Sequence, residues 1–357
     1  VRGAFAMSLL TLDALSLRYT PGGTAAVDGL SLSVEPGEVV ALLGPSGCGK
    51  TTTLRLVAGF ERPGAGTLTL DGRVLAGPGA FVPPEQRSVG MVFQDYALFP
   101  HLSVLENVTF GLSKLSRREA EDKARAMLTM FGLGEFASRM PHALSGGQQQ
   151  RVALSRALAP GPRVLLLDEP FSSLDSGLRA STRIEVRRVL KSLGATVVLV
   201  THDQGEAMAF ADRLAVMRAG KVEQVGTPES VYSAPRTAFV AYFLGGTNLL
   251  PGMGFGGGAR TVLGNLPVMG QAKGKVLLSL RPEALRLVPD KDAVAVGGAL
   301  RAEVLSREFQ GPSAEYTVAC GGMELVVRGA PESPLRPGDR ARLEIVGKAG
   351  VLEDSPD

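Results

Sequence analysis

The chain has 357 residues, 45% of them hydrophobic and 20% charged, with a net charge of +3. This is the make-up of an ordinary globular protein with room for two or three domains. Acids and bases are interspersed, so no basic stripe points to nucleic acid, and no apolar run approaches the roughly 20 residues that span a bilayer. Cys48 and Cys320 lie far apart, which argues against a structural disulfide and agrees with a reducing cytosol. No basic stretch, apolar core and small-residue cleavage site open the chain. Residues 1–6 before Met7 read as dispensable, and an N-terminal extension is expected over 1–7.

In chain order, the first informative stretch is Val39-Val40-Ala41-Leu42-Leu43, an apolar run that predicts a buried strand. Gly44-Pro45-Ser46-Gly47-Cys48-Gly49-Lys50-Thr51 follows and fits G-x-x-x-x-G-K-[ST]. Thr52-Thr53-Leu54-Arg55-Leu56-Val57-Ala58-Gly59 then reads as a helix ended by a glycine. Strand, glycine loop and helix together make an anion site. The glycines let backbone N–H groups face inward, and the new helix aims its open N–H groups at the same point. Lys50 adds a point charge for the outer phosphates, and the Thr51 hydroxyl suits a magnesium ion.

Residues 67–93, with Asp71-Gly72 among them, read as short strands and turns. From Ser103 to about Arg139 the pattern is helical, and Ser116 with Glu119 forms a capping box. A helical subdomain over about 95–160 is therefore expected to interrupt the α/β core. Leu144-Ser145-Gly146-Gly147-Gln148 opens a further helical run through Ala157, and a serine with two glycines at a helix start is a second anion-binding end. Val164-Leu165-Leu166-Leu167 and Thr196-Val197-Val198-Leu199-Val200 read as parallel strands covered on both faces. The first ends in Asp168-Glu169 and the second in Thr201-His202-Asp203. Ligands of open α/β sheets bind beyond the carboxyl ends of the strands, so Gly44, Asp168 and His202 should gather at one edge. Asp168 suits a hard cation, held directly or through water, and Glu169 suits the base that polarises an attacking water. After about Leu244, glycine clusters and short strand-like runs predict a small all-β domain resembling an OB barrel.

In the order and spacing of these segments, the chain resembles the nucleotide-binding subunit of an ATP-binding cassette (ABC) transporter. The resemblance implies an α/β P-loop cassette over 8–244, with a mostly parallel core, an antiparallel β subdomain and the helical subdomain. A small OB-like, TOBE/MOP-like β domain over 245–357 would follow. The resemblance further implies two copies sandwiching two ATP molecules with Mg²⁺, the glycine loop of one facing Ser145, Gly146, Gly147 and Gln148 of the other. By it, Tyr19 stacks on adenine, and Gly44 through Thr52 hold the phosphates. Gln94 senses Mg²⁺ and the attacking water and couples to the membrane subunit. Asp175, in Ser173-Leu174-Asp175, crosses the interface, and His202 contacts the γ-phosphate. Catalysis falls to Glu169, His202, Gln94 and Lys50, and the metal to Thr51, Gln94 and Asp168.

Cys48 stands at a variable loop position and reads first as a tolerated small residue; the alternative, a thiol influenced by Lys50 and the helix N-terminus, carries the expectation that alkylation blocks ATP binding and that ATP protects. His101 and His142 match no catalytic position and are read as structural. The tail, with Leu280-Arg281-Pro282-Glu283, resembles the β domain of bacterial importer ATPases. Such a subunit sits peripherally on the cytoplasmic face of the inner membrane, against permease subunits served by a solute-binding protein. The residues look most like ferric-iron or polyamine importers, and iron is favoured. Sugar, sulfate or molybdate import are alternatives. A soluble cassette ATPase acting on nucleic acid or the ribosome is a distant one, disfavoured because the chain has one cassette, no heptad run and no paired-cysteine motif. The intact motifs argue against a non-catalytic regulatory module, and the β tail against an exporter.

Overall fold

The computed structural model describes residues 8–289 and 300–353, so the expected extension over 1–7 lies outside the described residues. The chain forms two compact units, one ending at Pro228 and the other beginning at Glu229. None of the described helices is long and apolar enough to cross a membrane.

The first unit runs β1 (Leu10–Leu17), β2 (Val27–Val34), β3 (Val39–Leu43), α1 (Lys50–Ala58), β4 (Ala65–Leu70), β5 (Arg73–Gly77), β6 (Ala80–Phe81) and β7 (Val89–Val92). It continues with α2 (Val104–Thr109), α3 (Arg117–Met130), α4 (Gly146–Leu158), β8 (Val164–Asp168), α5 (Ser176–Ser192), β9 (Val197–Thr201), α6 (Gln204–Phe210), β10 (Arg213–Arg218) and β11 (Lys221–Gly226). Six strands make the central sheet in the order β11-β10-β3-β9-β8-β7. All neighbours in it are parallel except the β10–β11 edge pair. Every residue of β3 and β9 is buried, as continuous apolar runs demand of strands covered on both faces. β1, β2, β4, β5 and β6 form a separate antiparallel sheet whose leucines join α1 and the central sheet in one core. β7 leaves the short-strand segment to become the edge of the central sheet beside β8.

Register fixes where the strands stop. Leu43 pairs with Thr201, Asp168 with Val200 and Val92 with Leu167, so four strands end at one level. The helical subdomain starts from capping boxes. Ser116 with Glu119 is the pair legible in the sequence, and Ser103 with Glu106 is a second that opens α2. Asn107, fully buried on α2, accepts from Phe99 N and donates to the Phe99, Leu102 and Ser103 carbonyls, which fixes the loop entering the helix. Arg87 is buried as well. It donates to Val82 O from Nε and to Leu56 O and Val57 O from Nη1, anchoring the end of α1.

The second unit holds α7 (Pro228–Ser233), α8 (Ala238–Phe243), β12 (Asn248–Thr261), β13 (Gly264–Leu280), β14 (Leu285–Pro289), β15 (Leu300–Phe309), β16 (Ala314–Cys320), β17 (Met323–Gly329), β18 (Arg340–Ile345) and β19 (Ala349–Leu352). Its described strands form a three-stranded sheet, β12-β13-β19, and a five-stranded one, β14-β18-β15-β16-β17, which share a core. The glycine cluster after residue 250 lies inside β12, where its composition alone suggests turns. A Cβ at Gly254 would run into the Ala272 and Lys273 backbone of β13, so a bare residue is what lets the long hairpin close. Arg281 is buried, its guanidinium lying 4.0 Å from the centre of the Tyr232 ring. It donates to the Tyr232, Ala241 and Gly246 carbonyls.

Candidate active site

α1 starts at Lys50 with Gly49 as its N-cap, φ 104°, in a conformation L side chains rarely adopt. A Cβ there would also collide with Ala26 O. Gly49 offers no side chain to cap this helix, so among the described residues its first N–H groups stay open to an anion. Lys50 is buried, and its ammonium donates to Gly44 O at 2.7 Å and Pro45 O at 3.0 Å. Cys48 Sγ lies 3.8 Å from the same ammonium. Ser46, Gly47, Gly49, Lys50, Thr51 and Thr52 line a cavity of about 250 Å³, closed on its other side by Glu169 and His202 from the ends of β8 and β9.

Thr51 Oγ1 stands 3.3 Å from Asp168 Oδ1, joining the loop to β8. Burial pushes the Asp168 carboxyl above its ordinary range, opposed by the Thr51 hydroxyl and reinforced by the charge of Glu169. A hydroxyl on the glycine loop and a carboxylate at the end of β8, facing each other, are the hard oxygen donors Mg²⁺ takes, so these two residues fit that ion. Glu169 has φ 46°, a left-handed backbone unusual for a side chain of its size. Its N–H donates to Val200 O at 2.9 Å, and its carbonyl accepts from Ser172 Oγ at 2.8 Å. The strained turn aims the carboxylate off the strand end at His202, whose Nδ1 lies 3.0 Å from Glu169 Oε1.

Tyr19 is half exposed, and its hydroxyl sits 3.4 Å from Thr52 Oγ1 at the cavity's edge. Gln94 is exposed just beyond β7; its carbonyl accepts from Ser173 Oγ at 3.3 Å, and its side chain does not line the cavity. Ser145 is the N-cap of α4 and forms a capping box with Gln148. Ser145 and Gly146 are exposed and Gly147 is buried. Asp175 caps α5 by accepting from Leu178 N at 3.0 Å and is exposed. One copy thus brings together the glycine loop, Asp168, Glu169 and His202. Ser145, Gly146, Gly147, Gln148 and Asp175 do not line that cavity.

Sequence reasoning missed two groups behind the site. Thr201, at the end of β9, donates its hydroxyl to buried Glu206 at 3.0 Å and accepts from Asp203 N at 3.0 Å, which braces the turn carrying His202. The pattern Asp203-x-x-Glu206 before a helix is a capping signal that could have revealed it. Arg156 reaches the Tyr96 and Ala97 carbonyls just after Gln94, and nothing in the sequence signals that contact.

Comparison with known proteins agrees with this geometry. The ABC transporter family model matches residues 27–172, and the TOBE domain model matches residues 278–352. The chain is 46% identical to the Fe(3+) ions import ATP-binding protein FbpC 1 of Rhodococcus jostii, over 92% of this chain and 94% of that protein. It is 44% identical to the spermidine/putrescine import ATP-binding protein PotA of Thermobifida fusca, over 88% of this chain and 84% of that protein. Among solved structures it resembles the dimeric post-hydrolysis state of the cassette MJ0796 bound to ADP and Pi. There the TM-score is 0.53 and the identity 33%, covering 61% of this chain and 98% of that one. With a phosphate loop, two strand-end carboxylates and a histidine assembled ahead of a TOBE domain, the chain belongs to the ATP-binding subunits of ABC importers.

Proposed function

We propose that two copies of this chain clasp and hydrolyse ATP to drive ferric iron through a membrane permease, from the cytoplasmic face. The observation that carries the cargo is the near full-length similarity to iron-import ATP-binding proteins, at 46% identity over 92% of the chain. The similarity to polyamine-import relatives, at 44% over 88%, supports polyamine as the second reading.

The residues divide the work as follows. Tyr19 stacks on the base, while the loop N–H groups and Lys50 hold the phosphates. Thr51 and Asp168 would hold Mg²⁺, with Gln94 reaching it once the pair closes, and the ion would supply positive charge to the phosphate oxygens. Water adds to the γ-phosphorus, and the bond to the ADP oxygen breaks. Glu169, as the base, takes the proton that this water gives up, and His202, beside it, contacts the γ-phosphate. Ser145, Gly146, Gly147, Gln148 and Asp175 serve the nucleotide of the second copy. The exposure of Ser145, Gly146 and Asp175, away from the cavity of their own chain, supports this assignment. ATP drives closure only through tighter binding to the closed pair than to the open one. The exposed Phe93 and Phe60 pair at 6.2 Å, and Phe110, 60% exposed, lies 4.4 Å from Phe99. This apolar surface beside Gln94 is where the permease is expected to grip.

The test is ATPase activity and transport in vesicles holding the permease, with the cognate binding protein loaded with Fe³⁺, spermidine or nothing. Stimulation by Fe³⁺ alone supports iron, stimulation by spermidine alone overturns it in favour of polyamine, and stimulation by neither refutes both.

A further inference from the structure

We propose that Arg156 is a positioning residue for Gln94: its guanidinium, carried by α4, holds the strained peptides just after Gln94 and ties that loop to the helix that begins at Ser145. The inference rests on Gln94 acting at the reacting nucleotide.

Tyr96 and Ala97 are consecutive non-glycine residues with φ of 61° and 45°. Two adjacent left-handed peptides relax unless neighbours hold them. Arg156 supplies that hold. Nη2 donates to Tyr96 O at 2.9 Å and Nη1 to Ala97 O at 2.7 Å, so one planar fork fills both carbonyls. The guanidinium also lies 5.2 Å from the centre of the Phe99 ring, and Phe99 is itself pinned through both backbone polar groups by Asn107 of α2. Ser173, four residues beyond Glu169, donates to the Gln94 carbonyl at 3.3 Å. Gln94 therefore sits in a short span fastened to the helical subdomain on one side and to the segment after the catalytic carboxylate on the other. Burial lowers the basicity of Arg156, in keeping with a fork removed from water, yet it stays charged.

The placement on α4 gives the clamp its purpose. The helix has 13 residues, a rod of roughly 20 Å. Ser145, at its start, faces the nucleotide of the second copy under the proposed dimer, and Arg156 lies in its last turn. Displacement of the helix on closure then moves the two carbonyls and sets the pose of Gln94. A lysine cannot replace the fork, because a single ammonium lacks the planar pair of donors.

The experiment compares Arg156→Lys, Arg156→Lys with Ala97→Gly, and Gln94→Ala in the full-length protein. Steady-state kcat and KM are measured alongside equilibrium binding of a fluorescent ATP analogue. The expected result for Arg156→Lys is a kcat lower by about tenfold, with KM and analogue affinity within about twofold of the parent. Glycine at 97 makes the left-handed peptide cheap without the clamp, so the double variant should recover most of the lost kcat. An unchanged kcat in Arg156→Lys overturns the proposal. So does a parallel loss of analogue affinity, which marks general damage, or a kcat loss that Ala97→Gly leaves untouched. Normal turnover in Gln94→Ala removes Gln94 from the site whatever Arg156 does. A slow Gln94→Ala beside a normal Arg156→Lys removes only the clamp.

Discussion

Glu206→Gln isolates a proton that the folded chain should hold and the unfolded chain should release. Glu206 is 2% exposed, accepts from the Thr201 hydroxyl through Oε2, and has no partner for Oε1 among the described residues. Burial raises its carboxyl from 4.5 to about 7 against the Thr201 hydroxyl, with the Asp203 charge adding to the rise and Arg183 and Arg179 opposing it. Between those values the folded state binds a proton that the unfolded state has lost. The stability from this group is therefore complete below pH 4.5 and disappears as the pH climbs through about 7. At about 1.4 kcal/mol per unit, the loss approaches about 3 kcal/mol. The assay is urea unfolding followed by circular dichroism at about pH 5 and about pH 8.5 for parent and variant, since comparing the two cancels every other titrating group. The parent should weaken towards alkaline pH by about 2–3 kcal/mol more than Glu206→Gln does. Parallel pH profiles for the two proteins would show that Glu206 is ionised when folded and that the burial argument is wrong.

Glu169→Gln should bind ATP with near-parental affinity, lower turnover by about a hundredfold or more, and collect as a nucleotide-bound dimer on gel filtration; a normal rate removes Glu169 from catalysis. Arg281→Met should cost the second unit about 3 kcal/mol, because the carbonyls of Tyr232, Ala241 and Gly246 lose their donor, read as a lower unfolding midpoint and faster proteolysis of residues 229–246. Alkylation of Cys48 should be slow, since the residue is 3% exposed, and should be slowed further by ATP. Complete modification should abolish nucleotide binding, so unchanged affinity after full alkylation would refute a steric role for that position.

What the sequence made legible was local. Val39 through Leu43 is continuously apolar, bounded by Glu38 and Gly44, and it forms a strand over those residues. Ser116 with Glu119, and Ser145 with the helix after it, announced their helices because a cap and its helix are contiguous. What escaped depends on residues distant in sequence. Arg87 reads as a surface charge until carbonyls of α1, some 30 residues away, close around it. The glycines of β12 read as turns until β13 comes close enough to exclude a Cβ. The left-handed peptides at Glu169, Tyr96 and Ala97 have no composition signal, since none is a glycine and each conformation is imposed from outside.

The grip of Arg281 bears on where this polypeptide can be cut. Val231, Val240 and Ala241, from the two short helices that open the second unit, are fully buried, and the carbonyls of Tyr232 and Ala241 accept from an arginine that arrives 49 and 40 residues later. A fragment stopped at Leu244 would carry those helices away from the donor that completes them, leaving greasy side chains and bare oxygens in water. One stopped at Pro228 would leave them with their own half. Anyone preparing the ATP-handling piece alone should see the shorter product stay in solution and the longer one clump.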